Sequence, residues 1–110
     1  MTDKIVVLCT CASAEEGERL ARALVTGNLA GCVSLVPAVR SIYRWKGEIE
    51  TGKECLLVIK SSRDRFAALN AAIEKLHSYQ VPEVIALPVV DGAPNYLNWL
   101  GVSLHPGVPE

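Results

Sequence analysis

The sequence predicts an α+β fold in which strands and helices follow the order β-α-β-β-α-β, with a short closing helix. Apolar runs of the length of buried strands alternate with two stretches whose apolar residues recur at helical spacing. Prolines fall in the second and fourth predicted strands and not in the first and third. Because proline cannot donate to a β ladder, these two strands belong at the sheet edges. This is the ferredoxin-like arrangement of two split βαβ units.

The first strand and helix are predicted from residues 5–28. Residues 5–8, IVVL, are typical of a strand buried on both faces, and the run ends at Cys9-Thr10-Cys11. Ser13 followed by Glu16 is a capping box, which predicts the start of a helix. Thr26-Gly27-Asn28 predicts the end of this helix.

The stretch of residues 31–50 contains the second strand, a turn and, from Ile49, the beginning of the return. Its apolar start is interrupted by Pro37, it resumes with Tyr43 and Trp45, and residues 46–48 predict a tight turn. A long edge strand with exposed aromatic rings invites aggregation unless something covers it. We therefore predict that another copy of the chain covers it, with Tyr43 and Trp45 at or near the subunit contacts. The alternative for these rings is packing within the core of one chain.

The second half of the chain supplies two more strands and two helices. The apolar run 55–59 predicts the third strand, and the runs 84–90 and 96–100 predict the fourth strand and the closing helix. Between them, Ser61 or Ser62 can cap a helix whose apolar stripe is Phe66, Leu69, Ile73 and Leu76. The two main helices would cover one face of the sheet. The other face lacks a cover within the chain, except where the last helix reaches, and so needs a partner.

Composition excludes several classes of protein. The 110 residues fit a single domain, 1–110, with about 103–110 as a flexible tail. A net charge of −1 without a basic stripe predicts no nucleic-acid binding. No apolar run approaches the roughly 18 residues of a membrane span, and the N-terminus lacks the pattern of a signal peptide. We therefore expect cytoplasmic residence and reduced cysteines, with Cys32 and Cys55 serving packing only.

Two long motifs resemble the CutA family of divalent-cation tolerance proteins. They are GCVSLVPAVRSIYRWKGEIE, residues 31–50, and HSYQVPEVIALPVVDGAPNYLNWL, residues 77–100. The resemblance extends from residue 5 to about residue 100. It implies a ferredoxin-like fold, a tight homotrimer, a cytoplasmic location and a role tied to copper and other divalent metals.

The resemblance also implies a metal site. In the family, a cysteine in the Leu-Cys-Thr motif and histidine ahead of Tyr-x-x-Pro-Glu are assigned to copper; these positions are Cys9 and His77 here. Leu76 stands where some relatives have a second histidine, and Cys11 is a candidate replacement. Thiolate with imidazole suits Cu(I) or Zn. The metal would not be required for folding. The alternative is that Cys9 packs as a small hydrophobe and His77 caps a helix.

A cleft is the second candidate site. Glu83 follows Pro82 in an apolar segment and can share a cleft with His77 and Tyr79 or, equally, blunt an edge strand. Lys60 can close the same cleft or simply be a solvated strand end.

Three functions remain open at this point. The first is a non-enzymatic trimeric protein that binds metal ions or an unidentified protein partner. The second is an enzyme with Cys9 as nucleophile and His77 as base, although the sequence offers no third orienting residue. The third is small-molecule signalling of the PII kind, which rests on fold analogy alone.

Overall fold

The computed structural model describes residues 1–107, in which four antiparallel strands form one sheet. The elements are β1 Lys4–Cys11, α1 Ala14–Thr26, β2 Cys32–Trp45, β3 Glu48–Ser62, α2 Phe66–Leu76, β4 Ile85–Pro88 and α3 Pro94–Leu104. The strand order is β2-β3-β1-β4. The predicted edge positions of the two proline-containing strands are therefore confirmed.

One face of the sheet is covered by α1 and α2. Along β1 and the second half of β3 every second side chain is buried, as the alternation of side chains across a strand requires. These side chains pack against α1 and α2 in one apolar cluster of Ile5, Val7, Cys9, Cys11, Leu20, Leu24, Ala30, Cys55, Leu57, Ile59, Leu69 and Ile73.

The opposite face of the sheet, which we call the open face, is only partly covered within the chain. In the strand registers its members are Val6, Leu8 and Thr10 of β1, Leu56, Val58 and Lys60 of β3, Val36 of β2, and Ile85 and Leu87 of β4. None of them is fully buried, and Ile85 and Leu87 are 50% and 47% exposed. The sequence prediction of an uncovered apolar face therefore describes this chain correctly.

The β2–β3 hairpin extends far beyond the other strands. Its strands have 14 and 15 residues, against 8 and 4 in β1 and β4, and the molecule measures 50 × 25 × 22 Å. Lys46 and Gly47 turn the chain with φ of 50° and 82°, the left-handed conformation at both central positions that a type I′ hairpin turn requires. Pro37 coincides with a register shift between Val36 and Val39, where Ala38 has φ of 61°.

Four sequence predictions need correction. The return that was predicted to begin at Ile49 and the apolar strand 55–59 are one continuous strand, β3, from Glu48 to Ser62, because its polar first half pairs with β2 along the hairpin. Strand β4 is shorter than residues 84–90 because its ladder with β1 pairs only residues 85–88. Helix α3 continues to Leu104, so residues 103 and 104 are helical and not part of a tail. Leu76 was predicted in the apolar stripe of this helix but is 51% exposed, because α2 ends there and the following residue, His77, is the buried one.

The capping predictions have mixed outcomes. Ser13 accepts from the Glu16 backbone N–H at 3.1 Å, which confirms the predicted start of α1. Ser62 makes no capping bond; its hydroxyl donates to Asp64, and a 3₁₀ turn, Arg63–Arg65, precedes α2. The predicted tail falls partly on residues 108–110, which lie outside the described residues. None of the helices in residues 1–107 has the length and apolar character that a bilayer crossing requires.

Candidate functional site

The Leu-Cys-Thr motif and His77 meet at one backbone carbonyl. The Cys9 thiol donates to the Thr10 carbonyl oxygen with Sγ at 3.7 Å, and His77 Nε2 lies 2.8 Å from the same oxygen. Since a carbonyl can only accept, Nε2 carries the proton and donates. The two residues that the resemblance paired as metal ligands are therefore neighbours, and in this structure they are two donors that share an acceptor.

His77 is held at both ring nitrogens. Its Nδ1 accepts from the Tyr79 backbone N–H at 3.0 Å, which places the only lone pair of the neutral ring in a hydrogen bond. The side chain is fully buried, and its ring packs at 4.7 Å against the Tyr79 ring. Binding a metal ion at Nδ1 would first require breaking the hydrogen bond from the Tyr79 backbone N–H.

The two candidate thiols lie inside the core. Cys9 and Cys11 do project from one face of β1, as the sequence predicted, but that face is the one under the helices, and both residues are 0% exposed. Burial, with smaller contributions from Cys11 and Glu83, raises the pKa of the Cys9 thiol to about 12. Burial and the Cys55 thiol raise the pKa of Cys11 to about 11. Both thiols are protonated at neutral pH.

These residues do not fit a metal centre as they are arranged. To bind a metal, a cysteine must be a thiolate and a histidine must have a free lone pair on its ring. Cys9 and Cys11 are protonated, and the lone pair of His77 is occupied. Within residues 1–107, no cluster of three or more His, Cys, Asp or Glu side chains has an arrangement that could hold a metal ion. Metal binding by these three residues stays a prediction from the resemblance.

Glu16 links the start of α1 to the chain after α2. Its carboxylate accepts from the Ala12 N–H at 3.2 Å and from the Ser78 N–H and hydroxyl at 2.8 and 2.9 Å. Burial alone would raise the pKa of this carboxyl, but the hydrogen bonds from Ser78 and Ala12 outweigh it and lower the pKa. The sequence identified Glu16 only as a capping residue. Its bond to Ser78 joins residues 62 positions apart, which local spacing cannot predict.

A cleft of about 690 Å³ adjoins this network, and Ser78 belongs to both. Its floor and walls come from Thr10 of β1, from Glu54 and the hairpin side chains, and from the connection between α2 and β4; the lining residues are Thr10, Ser41, Ile42, Tyr43, Trp45, Glu54, Ser78, Tyr79, Gln80, Val81 and Glu83. It combines two carboxylates, hydroxyl oxygens and three aromatic rings. The sequence predicted a cleft shared by Glu83, His77 and Tyr79. Glu83 and Tyr79 do line it, but His77 does not, because its side chain is fully buried.

Glu54 is the cleft residue that sequence reasoning missed. The Tyr79 hydroxyl donates to its carboxylate at 2.6 Å, and burial together with this bond raises the pKa of Tyr79. Extending β3 backwards from Leu56 in steps of two would have placed Glu54 on the open face. Lys60 does not line the cleft: its ammonium donates to Ser34 at 2.7 Å and lies 3.7 Å from the Cys32 sulfur.

The hairpin aromatics are exposed within one chain. Tyr43 is 46% and Trp45 is 42% exposed, and the Lys46 ammonium lies 5.9 Å above the Trp45 ring. The alternative that these rings are buried in the core of the same chain does not describe the structure.

The fold and the motifs agree with the comparison with known proteins. Residues 5–103 match the family described as CutA1 divalent ion tolerance protein. The chain belongs to this CutA1 family. It is 45% identical over 95 residues to the divalent-cation tolerance protein CutA of Thermus thermophilus, a match that covers 86% of this chain and 92% of that protein.

Solved CutA structures share the fold. The crystal structure of CutA from Xylella fastidiosa superposes with a TM-score of 0.91 at 37% identity, covering 94% of this chain and 99% of that one. This confirms the predicted α+β, ferredoxin-like architecture. The chain is also 42% identical over 96 residues to the Arabidopsis thaliana protein CutA, chloroplastic, covering 87% of this chain and about half, 53%, of that protein.

The Glu16 network generates a prediction about stability and pH. Replacing Glu16→Gln removes a buried carboxylate acceptor and should lower the free energy of unfolding at pH 7 by about 1–3 kcal/mol. Because the folded-state pKa of Glu16 is lowered, its contribution is present above the unfolded pKa and is lost as pH falls through the folded pKa. The difference between wild type and variant in denaturant unfolding should therefore shrink below about pH 4.5. Glu18→Gln is the control, since Glu18 is exposed; an equal effect of both variants would contradict the network.

The raised thiol pKa values generate a second prediction. With its pKa near 12, Cys9 has roughly 1,000-fold less thiolate than a free cysteine at neutral pH, because each pKa unit is a factor of ten. We expect iodoacetamide to label Cys9 at least ~100-fold more slowly than glutathione at pH 7.5 in the native protein, and readily in urea, as followed by peptide mass spectrometry. Fast native labelling would revive the enzyme with a Cys9 nucleophile.

Proposed function

We propose that the protein is a cytoplasmic homotrimer that serves divalent-cation tolerance without catalysis. The observation that carries the assembly is the open face, which leaves a row of apolar side chains across four strands in water. Val36 is 42% exposed and Ile85 is 50% exposed in the single chain. A contiguous exposed apolar surface of this kind usually marks a protein–protein interface.

Unpaired strand edges support the same assembly. Both β2 and β4 are edges of the sheet, and β2 is long, so its main-chain groups can pair with a strand of another subunit. Addition of strands from neighbouring copies would satisfy these groups and cover the edge.

The projecting hairpin carries opposite charges on its two faces. Directly paired residues share a face, so Tyr43, Trp45, Glu48 and Glu50 lie on one side, whereas Arg40, Arg44, Ile49 and Lys53 lie on the other. An acidic, aromatic face complements a basic, aliphatic face of the next copy. Contacts between two different surfaces are head-to-tail, and head-to-tail contacts form a ring when the rotation between neighbouring copies closes. This supports a cyclic trimer with Tyr43 and Trp45 at the subunit contacts.

The geometry around Cys9 supports a non-enzymatic role. A Cys–His enzyme needs a thiol that gives its proton to the histidine. Here Cys9 donates to the Thr10 carbonyl, and the lone pair of His77 is occupied by the Tyr79 N–H. The family name describes tolerance to divalent ions, which agrees with binding rather than turnover.

We infer that divalent ions contact the protein at the cleft rather than at the thiols. Carboxylate and hydroxyl oxygens from Glu54, Glu83 and Ser41 line the cleft, and such oxygens suit hard divalent cations such as Mn²⁺. Copper binding at Cys9, Cys11 and His77 would require opening the core. The cytoplasmic location agrees with four free cysteines, and fractionation of the native host tests it.

A matched pair of charge insertions tests the trimer. Val36 on the open face and Val25 on α1 are both 42% exposed in the single chain. Substitution by aspartate should therefore lower the unfolding free energy of an isolated subunit by a similar small amount at either position. We expect Val36→Asp to dissociate the assembly at micromolar concentration, because it places a charge in a buried interface, while Val25→Asp leaves it trimeric. Light scattering after size exclusion measures both. A well-folded wild-type monomer at these concentrations would overturn the proposal.

Calorimetric titration tests the site of cation contact. Mn²⁺ binding should be lost in the Glu54→Gln/Glu83→Gln double variant and retained in Glu15→Gln/Glu18→Gln, which removes the same charge from the exposed side of α1. Cys9→Ser should bind as the wild type does. Loss of binding in Cys9→Ser with retention in the cleft variant would place the ion at the thiols instead.

A further inference from the structure

Cys11 and Cys55 face each other across the two central strands. Cys11 is the last residue of β1, and Cys55 is its direct partner in the antiparallel register with β3. Both lie on the covered face, at 0% and 1% exposure. Directly opposed Cα atoms in such a ladder lie about 4.5–5.5 Å apart, within the roughly 4.4–6.8 Å that a disulfide spans.

The helix above the pair has a glycine where the two sulfurs converge. A Cβ placed on Gly17 would lie 3.3 Å from the Cys11 sulfur and 3.1 Å from the Cys55 sulfur. Both sulfurs therefore abut the same position of α1. The other two cysteines have different partners, because Cys9 pairs with Leu57 and Cys32 with Lys60.

We propose that Cys11 and Cys55 form a redox-active pair that closes to a cross-strand disulfide by exchange with a small-molecule disulfide. In the first step the Cys11 thiolate attacks one sulfur of glutathione disulfide, giving a mixed disulfide and one glutathione. In the second step the Cys55 thiolate displaces the second glutathione and forms the Cys11–Cys55 bond. One disulfide is consumed, two glutathione thiols are released, and the protein loses two hydrogen atoms.

Because both cysteines are buried, this exchange is slow, and the reduced pair is the resting state. Access requires the first turn of α1 to open, which begins only three residues after Cys11 at Ala14. Once a mixed disulfide forms, the second step is intramolecular and proceeds at a high effective concentration. Disulfides in reducing compartments are commonly transient and redox-sensing.

Formation of the Cys11–Cys55 disulfide would affect the cleft. The reduced Cys11 thiol donates to the Ser13 carbonyl oxygen at 3.4 Å, next to the cap of α1, and a disulfide has no proton to donate. Thr10, the preceding residue, lines the cleft and accepts from His77. Oxidation therefore changes the bonding of the segment that joins the cleft to α1.

Equilibration in glutathione buffers tests the pair. The full-length protein is held anaerobically for a day at a series of ratios of glutathione to glutathione disulfide, quenched with acid and digested without reduction. We expect a Cys11–Cys55 cross-linked peptide whose yield rises with the oxidised fraction, and an intact mass lower by two hydrogens. Addition of excess dithiothreitol should reverse both changes.

Variants separate this pair from the other thiols. Cys11→Ser and Cys55→Ser should each abolish the cross-link, whereas Cys9→Ser, at an equally buried position of the same strand, should retain it. Peptide mapping of the wild type gives the answer even if a core variant unfolds. A cross-link through Cys9 or Cys32, or glutathione adducts without any Cys11–Cys55 peptide at the most oxidising ratio, would overturn the proposal.

Discussion

The unequal cover of the two sheet faces is the constraint on which the rest of this structure depends. The alternating residues of β1 and β3 divide the sheet into a side packed under α1 and α2 and a side that is half exposed. On the covered side, burial raises the pKa of the Cys9 and Cys11 thiols, so both are protonated at neutral pH. On the open side, the same strands present apolar side chains to water, and this exposed surface is the basis of the proposed assembly.

The boundary between these two sides is where the candidate chemistry lies. Thr10 belongs to the open face by register, but its carbonyl receives hydrogen bonds from Cys9 and His77. His77 in turn holds the backbone of Tyr79, whose hydroxyl holds Glu54 across the cleft. A single chain of hydrogen bonds thus runs from the core to the cleft. Through this chain, His77 and Cys9 are linked to the residues that line the cleft.

Much of the fold follows from the amino-acid sequence. The two helices, their spacing of apolar residues and the Ser13 cap are local properties, and local properties are visible in sequence. The prolines of β2 and β4 placed those strands at the edges for a stereochemical reason that holds in any sheet. The turn at Lys46-Gly47 was equally evident, although the length of β3 was not, because its polar first half is a strand only through pairing with β2.

The sequence by itself determined the order of elements, the edge strands and the uncovered face, and the family resemblance brought Cys9 and His77 together as candidates. Only the tertiary structure decided what those residues do. Which lone pair of His77 is occupied, which face of β1 carries the thiols into the core, and that Glu54 rather than Lys60 completes the cleft all depend on contacts between residues far apart in the chain. Periodicity assigns a side chain to a face, but its protonation and its hydrogen-bond partner depend on what packs against that face.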